Sequence, residues 1–98
     1  MAHLRFEWDP AKDEANQRKH KVSFQEAEST FTDEHARLLD DPDHSEDEER
    51  FILLGLSSRF RVLVVVHTYR GDEEVIRIIS ARRATKPERD YYDARWQR

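Results

Sequence analysis

Four cationic side chains in the C-terminal part of the chain have types and spacing that suit an anion. Arg77 interrupts an apolar run, and three more cations follow by position 86: Arg82, Arg83 and Lys86. An arginine between isoleucines must reach a wet face of a sheet or pair with an anion, because an unpaired buried charge is costly. Guanidinium groups grip phosphate through two parallel N–H donors. These residues are therefore predicted to form an anion site that stabilises developing phosphoryl charge.

A base for such a site must come from another residue type, because arginine stays protonated. His67, at the exit of the preceding apolar strand, is the best candidate, since unperturbed imidazole titrates near neutral pH. Whether His67 shares a face with Arg77 depends on the connection at residues 70–73, because a pairing shift of one residue exchanges the faces. A structural role for His67 is the alternative, and the residue pattern favours it.

Two β-branched runs, residues 62–66 and 75–80, are predicted to hold these side chains. They flank a turn at residues 70–72 that contains glycine, which indicates two antiparallel strands at the centre of a sheet. Thr85 and Glu88 then predict a capped helix over residues 87–96. The positive N-terminal end of that helix would lie beside the arginines and favour an anion there.

The N-terminal half is predicted to supply one strand and two helices. Alternating apolar residues at 3–8 indicate a half-buried strand. Asp9, followed by proline, starts a helix over residues 10–20 that has only two alanines as apolar residues and should pack lightly on one edge. Ser23 is expected to cap a second helix and Glu26 to complete a capping box.

Two further strands are predicted, at residues 36–40 and 50–56. The fold class is therefore α+β: a small, mostly antiparallel sheet of four or five strands, with the two N-terminal helices packed on one face and a C-terminal helix. The 98 residues are predicted to form one domain, 1–98. The lack of cysteine fits a reducing cytoplasm, and the apolar runs are too short for a membrane span.

Charge is distributed unevenly along the chain. Residues 1–49 hold 6 Lys+Arg and 15 Asp+Glu, net −9, whereas residues 50–98 hold 11 and 6, net +5. A basic face can therefore form on a protein with an overall charge of −4. The acidic stretch at residues 40–49 is interpreted as a solvated loop, because it lacks the oxygen spacing and the glycine of an EF-hand. The scattered histidines His3, His35 and His44 show no ligand spacing, so no metal or cofactor is predicted.

Three groups of residues resemble the BrnT toxin family. The opening signature comprises residues 6–12 (FEWDPAK), Asn16, Lys19, His20, residues 22–27 (VSFQEA) and Phe31. The middle comprises residues 43–45 (DHS), Glu49, Arg50 and Gly55. The closing signature comprises residues 76–85 (IRIISARRAT), Glu88, Arg89 and a tyrosine at 91 or 92. Two departures stand out: Lys21 replaces a usual glycine, which predicts a different helix end, and His67 replaces a usual aromatic residue.

The resemblance implies a RelE-like ribonuclease fold and a cytoplasmic toxin of a bacterial type II toxin–antitoxin pair. It also implies a BrnA-like antitoxin, whose ribbon-helix-helix part binds operator DNA. On this interpretation the chain is a metal-independent endoribonuclease that inhibits growth, and Arg77, Arg82, Arg83 and His67 are the candidate catalytic residues. The predicted RNA contacts are Lys86, Lys12, Lys19 and His20.

Alternatives remain open at each of these positions. The C-terminal arginines could form surface ion pairs with the acidic half or contact the antitoxin. The first helix could present no more than a solvated face with paired charges. The whole chain could also be a non-catalytic binding module that acts only in complex with its partner, as a co-repressor of its own operon.

Overall fold

A computed structural model describes residues 4–41, 49–71 and 74–94. The strands are β1 (Arg5–Glu7), β2 (Arg37–Asp40), β3 (Phe51–Leu56), β4 (Val62–Arg70) and β5 (Val75–Arg83). The helices are α1 (Pro10–His20), α2 (Phe24–Ser29) and α3 (Lys86–Asp93), with a 3₁₀ turn at Thr30–Thr32. Most of the predicted acidic loop (42–48), part of the predicted turn (72–73) and the end of the predicted last helix (95–98) lie outside the described residues.

The predicted α+β class is confirmed. Five strands form one sheet in the order β1-β5-β4-β3-β2. The β2–β3, β3–β4 and β4–β5 pairs are antiparallel, as expected, but β1 runs parallel to β5, so the sheet is mixed. The long β4 and β5 lie beside each other near the middle and carry the backbone on which the other elements pack.

The sheet buries a different apolar cluster on each face, because alternate strand residues point to opposite sides. One face packs on α2 through Val22, Phe24, Ala27, Leu53, Leu63, Val65, Ile76, Ile78 and Ala81. The opposite face packs on α3 through a smaller cluster of Leu54, Val64, Ala84 and Tyr92. The α3 face is therefore only partly covered, and two open cavities lie on it.

Asn16 joins α1 to the edge of β5. It is the only buried residue of α1, which packs lightly as its composition predicts. The Asn16 amide accepts from the Ala81 N–H at 3.1 Å and donates to the Ala81 carbonyl at 2.8 Å, as a neighbouring strand would. A further bond reaches the Val22 carbonyl at 2.8 Å. Because β1 pairs only with the first residues of β5, Asn16 satisfies an edge that would otherwise be open.

The predicted helix starts are correct, with one exception in detail. Thr85 and Glu88 form the expected capping box of α3. At α2, the Ser23 hydroxyl accepts from the Glu26 N–H, but the predicted capping box is wrong. The Glu26 carboxylate binds Arg61 at 2.6 and 2.8 Å instead, because a charge-assisted bond is stronger than one to a backbone amide.

The prediction that Lys21 changes the end of α1 is wrong, because the usual cap geometry is kept although lysine replaces glycine. Lys21 adopts the left-handed conformation itself (φ 61°, ψ 32°), and its N–H donates to the Gln17 carbonyl. This conformation is the one that glycine favours at a helix end. The lysine therefore keeps the geometry and tolerates some backbone strain.

The central strands are longer than predicted. Backbone pairing continues from Leu63↔Arg83 to Arg70↔Val75. Arg82 and Arg83 therefore lie on β5 and not beyond its end, and His67 lies inside β4 and not at its exit. The cationic side chains do not end the strand, because the partner strand satisfies their backbone while the side chains reach partly wet surfaces.

Tyr92 fixes α3 against the rest of the fold. Its hydroxyl donates to the Asp33 carboxylate at 2.6 Å, and the same carboxylate accepts from the Leu56 N–H at 2.8 Å. Burial by itself raises the pKa of Asp33, but the hydrogen bonds from Leu56, Tyr92 and His35 outweigh it and lower that pKa. This ionised anchor holds the C-terminal turn of α3 against the rest of the fold.

Removing the Asn16 amide should destabilise the fold. Asn16→Ala leaves the buried backbone groups of Ala81 and the Val22 carbonyl without partners, so the free energy of unfolding should fall by about 2–4 kcal/mol. Urea denaturation measures this loss. Gln17→Ala, which removes an exposed amide one position along α1, is the control and should change stability by less than about 0.5 kcal/mol. Equal losses of unfolding free energy in both variants would contradict the conclusion that Asn16 satisfies the edge of β5.

Candidate functional site

A β-bulge in β5 decides which cations share a face. The pairs Val66↔Ser80 and His67↔Ile78 leave Ile79 without a partner on β4. Arg77 and Arg82 are five residues apart and would point to opposite faces of a regular strand. The extra residue changes this parity, so Arg77 lies opposite Thr68 and Arg82 opposite Val64, both on the α3 face. Bulges frequently occur next to active sites because they redirect side chains.

The same pairing separates His67 from the arginines. His67 is adjacent to Thr68 on β4 and therefore points to the opposite face from Arg77. It is 0% exposed, and its ring packs against Phe31 at 4.9 Å and Tyr69 at 5.4 Å between ring centroids. Burial lowers the pKa of His67, although the contact between Nδ1 and the Val65 carbonyl at 3.1 Å opposes this. The geometry favours the structural alternative for His67.

Arg82 is held in a fixed orientation by Glu88. Its Nη1 and Nη2 donate to the two carboxylate oxygens at 2.8 and 2.9 Å, and Nη1 also donates to the Arg83 carbonyl at 3.3 Å. The hydrogen bond from Arg82 is the main reason that the pKa of Glu88 falls to about 2, and the same bond raises the pKa of Arg82. The ion pair is therefore intact throughout the physiological pH range.

The geometry of that pair leaves one edge of Arg82 for a ligand. A guanidinium has five N–H donors, and three of them are used by Glu88 and Arg83. The remaining two, on Nε and Nη2, lie side by side, point the same way and form no hydrogen bond with the residues that the structure describes. They match the bidentate geometry that binds phosphate. Glu88 thus orients Arg82 without occupying its second edge.

Arg82 lines a cavity of about 290 Å³ on the α3 face of the sheet. The polar lining comprises Asp41, Arg50, Ser80 and Arg82, and the apolar floor comprises Ile52, Val64, Val66 and Ile79. Arg50 and Arg82 come from opposite sides of the cavity, just before β3 and near the end of β5. We call this space the strand cavity.

A second cavity, of about 230 Å³, lies between α1 and β5. We call it the helix cavity; it is lined by Lys12, Ala15, Asn16, Lys19, His20, Ile79 and Ser80. Its lining includes three of the predicted RNA contacts, Lys12, Lys19 and His20, which α1 presents together because they lie on one face of the helix. The bulge residues Ile79 and Ser80 line both cavities, so the two spaces adjoin across β5.

The other predicted residues lie outside both cavities. Arg77 is ion-paired with Glu7 at 2.9 Å and lies roughly 13 Å along the sheet from Arg82, because their partners Thr68 and Val64 are four residues apart at about 3.3 Å per residue. Arg83 is exposed and points to the opposite face from Arg82. Lys86 pairs with Asp90 at 2.9 Å in an exposed helical contact of little energetic weight.

Arg50 and Ser80 were not predicted, although both left a signal in the sequence. Arg50 precedes Ile52 by two residues and Leu54 by four. Because side chains alternate between the faces of a strand, Arg50 is expected on the same face as these two residues. Ser80 is the polar break at the end of the apolar run in β5. Neither signal indicates a cavity. Arg50 and Ser80 come together only because β3 and β5 both pair with β4, and because the bulge in β5, which the sequence does not predict, sets the face of Ser80.

Within residues 4–41, 49–71 and 74–94, no group of three or more histidine or carboxylate side chains is placed to hold a metal ion. Among the helices described, none is both long and apolar enough to cross a membrane.

A family model for the ribonuclease toxin BrnT of type II toxin–antitoxin systems matches residues 8–88. The chain belongs to this family. The match spans α1 to the first turn of α3 and includes both cavities. Comparison with curated proteins gave no match.

Among solved structures, the chain is similar to a crystal structure of the Brucella abortus ribonuclease toxin BrnT. The two chains are 22% identical and superpose with a TM-score of 0.63, over 85% of this chain and 99% of the Brucella chain. This likeness supports the fold. The BrnT family, as a ribonuclease toxin family of type II systems, implies an RNA target and an antitoxin partner.

Replacing His67 with phenylalanine should leave the fold intact and weaken its acid sensitivity. In the folded wild-type protein, the pKa of His67 lies below the ordinary value of 6.5 that it has in the unfolded chain. The unfolded state therefore binds the proton first as the pH falls. His67 therefore leaves the free energy of unfolding unchanged above about pH 6.5 and lowers it increasingly as the pH falls below that value. His67→Phe removes that loss. Urea denaturation at pH 7.5 and 5.5 should show a smaller decrease for His67→Phe than for wild type; equal decreases would contradict the burial argument.

Proposed function

We propose that the chain is a metal-independent endoribonuclease toxin whose active site is the strand cavity with the adjoining helix cavity. The observation that carries this proposal is Arg82, fixed by Glu88 with one bidentate edge available, on the wall of a cavity. Lys12, Lys19 and His20 surround the neighbouring space. Cations on both sides of one strand suit a polyanion that crosses it.

The proposed reaction is a transesterification within the RNA chain. A base removes the proton from a 2′-hydroxyl, the 2′-oxygen attacks the adjacent phosphorus, and the P–O5′ bond breaks. The departing 5′-oxygen takes up a proton from an acid. Products are a 2′,3′-cyclic phosphate and a 5′-hydroxyl, so atoms and protons balance without a metal-bound water.

Each role in this reaction is assigned to a residue type that suits it. Arg82 would stabilise the charge that develops on the phosphorane oxygens, and such preorganised donors are typically worth about 10²–10³-fold in rate. His20 would move the proton, since it lines the helix cavity beside Ser80 and histidine is suited to proton transfer near neutral pH. Arg77, Arg83 and Lys86 would contact the RNA backbone outside the cavities.

We further propose that a BrnA-like ribbon-helix-helix antitoxin neutralises the toxin in the cytoplasm, and that operator DNA is bound only through the antitoxin. An apolar cavity of about 230 Å³ between the sheet and α3 supports a contact beside the active site. This cavity shares Ile52 and Val64 with the strand cavity and is bordered by Glu88. An antitoxin segment seated there would cover Arg82 and block RNA.

The first test is cleavage of labelled RNA by the purified chain in EDTA. Arg82→Gln should reduce the cleavage rate by at least about 100-fold, because it removes the charge that faces the phosphorane. Arg18→Gln is the matched control: Arg18 is also an ion-paired arginine, with Glu14 at 3.0 Å, but it lines neither cavity. Gel analysis should show full activity for the control.

Two outcomes would count against the proposal. Full activity of a folded Arg82→Gln protein would remove Arg82 from the active site. No cutting by wild type, with normal host growth on expression, would favour a non-catalytic co-repressor that acts only in its complex.

The proton-transfer role has a separate test. His20→Gln should lower the cleavage rate by about 10²–10⁴-fold, the usual size of general acid–base catalysis, and should flatten the pH–rate profile near neutrality. His67→Phe should cut RNA at the wild-type rate, because His67 is enclosed by aromatic rings on the other face. The reverse result, an active His20→Gln and an inactive but folded His67→Phe, would overturn this assignment.

A further inference from the structure

Phe60 occupies an unfavourable position for its residue type in two respects. It lies in the loop between β3 and β4, and its side chain is 85% exposed, the most exposed of the large hydrophobic residues described. Its backbone is also left-handed, with φ 61°. A bulky residue in that conformation is an outlier that glycine or asparagine would avoid. Neither packing nor backbone preference therefore accounts for phenylalanine at this position.

The loop that carries Phe60 is held firmly by hydrogen bonds. Ser57 N–H donates to the Arg61 carbonyl at 2.9 Å, and Phe60 N–H donates to the Ser57 carbonyl at 2.9 Å. Arg59 N–H reaches the Ser57 hydroxyl at 3.2 Å, and Ser58 N–H reaches the Ser29 hydroxyl at 2.8 Å. Strained residues persist where the surroundings over-determine them, and such residues cluster at ligand-binding sites. The loop thus presents a preorganised aromatic ring to solvent.

A buried ionic cluster anchors the base of the loop. Arg61 binds the Glu26 carboxylate at 2.6 and 2.8 Å and the Lys21 carbonyl at 3.0 Å, while the Ser57 hydroxyl donates to Glu26 at 2.6 Å. The Arg61 hydrogen bond is the chief cause of the lowered pKa of Glu26, with burial opposing it. Glu26 is therefore ionised, and its charge is compensated by Arg61.

The surface around Phe60 is cationic. Lys21 and Arg59 are exposed beside the loop, and Arg83 is exposed where Leu63 pairs with β5. Within the described part of the chain, the side chains of Arg59 and Arg83 form no salt bridge. An exposed ring beside exposed cations matches a nucleic acid better than an apolar protein surface, because single-stranded nucleic acid offers both phosphates and stackable bases.

The loop also lies next to the site already described. Phe60 precedes β4 by two residues, so its loop lies at the end of the sheet where Leu63 pairs with Arg83 and Val64 pairs with Arg82. Arg82 is the next residue on β5 and faces the other side of the sheet, so an RNA strand that passes around this end of β5 would contact both its cavity and the ring.

We propose that Phe60 is a stacking platform for an RNA base that flanks the scissile phosphate. This inference rests on the proposed ribonuclease function and deepens it: it assigns a binding subsite, selective for unpaired bases, at the tip of the β3–β4 loop. Arg59 and Arg83 neutralise the phosphates on either side of the stacked base.

The test measures binding of a fluorescein-labelled, single-stranded 2′-O-methyl RNA, which lacks the attacking 2′-hydroxyl, by anisotropy in EDTA. Phe60→Asn should weaken binding by about 5- to 100-fold, because base–aromatic stacking is lost. Phe60→Tyr keeps the ring and should bind within about twofold of wild type. Leu38→Asn, which removes another exposed apolar side chain, on β2, is the matched control and should bind as wild type does.

Two further readouts separate stacking from charge and from folding. The slope of log affinity against log salt should be unchanged in Phe60→Asn, whereas Arg83→Gln should reduce the slope by about one phosphate contact. The melting temperature of Phe60→Asn should equal or exceed that of wild type, since asparagine tolerates the left-handed conformation. A loss of affinity without a loss of stability is the expected signature.

The outcomes distinguish this inference from the function on which it rests. Wild-type affinity in Phe60→Asn, with RNA still cut, would overturn the stacking platform and leave the ribonuclease intact. If Phe60→Asn binds and cuts RNA normally but no longer captures the antitoxin, Phe60 is a partner contact and the inference is again overturned. Failure of wild type to bind or cut RNA would instead remove the proposed function itself.

Discussion

The pairing of β4 with β5, including the bulge at Ile79, is the constraint on which the candidate site depends. One unpaired residue changes the parity of β5, so Arg77 and Arg82 share the α3 face although they are five residues apart. The same residue, with Ser80, borders both the strand cavity and the helix cavity. A regular strand would turn one of these arginines toward the packed face, where an unpaired charge is costly.

Carboxylates act mainly as holders of cations in this structure. Glu88 orients Arg82, Glu26 fixes Arg61 beneath the Phe60 loop, and Glu7 pairs with Arg77. Each pair lies at the edge of the sheet or at its end, where partial burial strengthens the interaction compared with a fully solvated pair. Glu88 has a second role, because it also caps α3. Stability and site geometry are therefore coupled at this residue.

Local charge explains how an acidic chain of the BrnT family can carry the basic surface that is proposed to bind RNA. The cations that surround the two cavities come from distant parts of the sequence, α1 and the β3 and β5 strands. Asn16 brings them together, since its bonds to Ala81 fix α1 against β5. The overall charge of −4 does not describe this region.

The order of secondary-structure elements was determined by local sequence, because caps and periodicity act over a few residues: Asp9, Ser23 and Thr85 start helices where predicted. The arginines near the end of β5 were likewise recognisable from residue type. Tertiary structure alone decided that His67 is buried away from them and that α1 adjoins β5. Both depend on pairing register, in which a single bulge outweighs any local preference. Long-range contacts of that kind leave no periodic signal in one sequence.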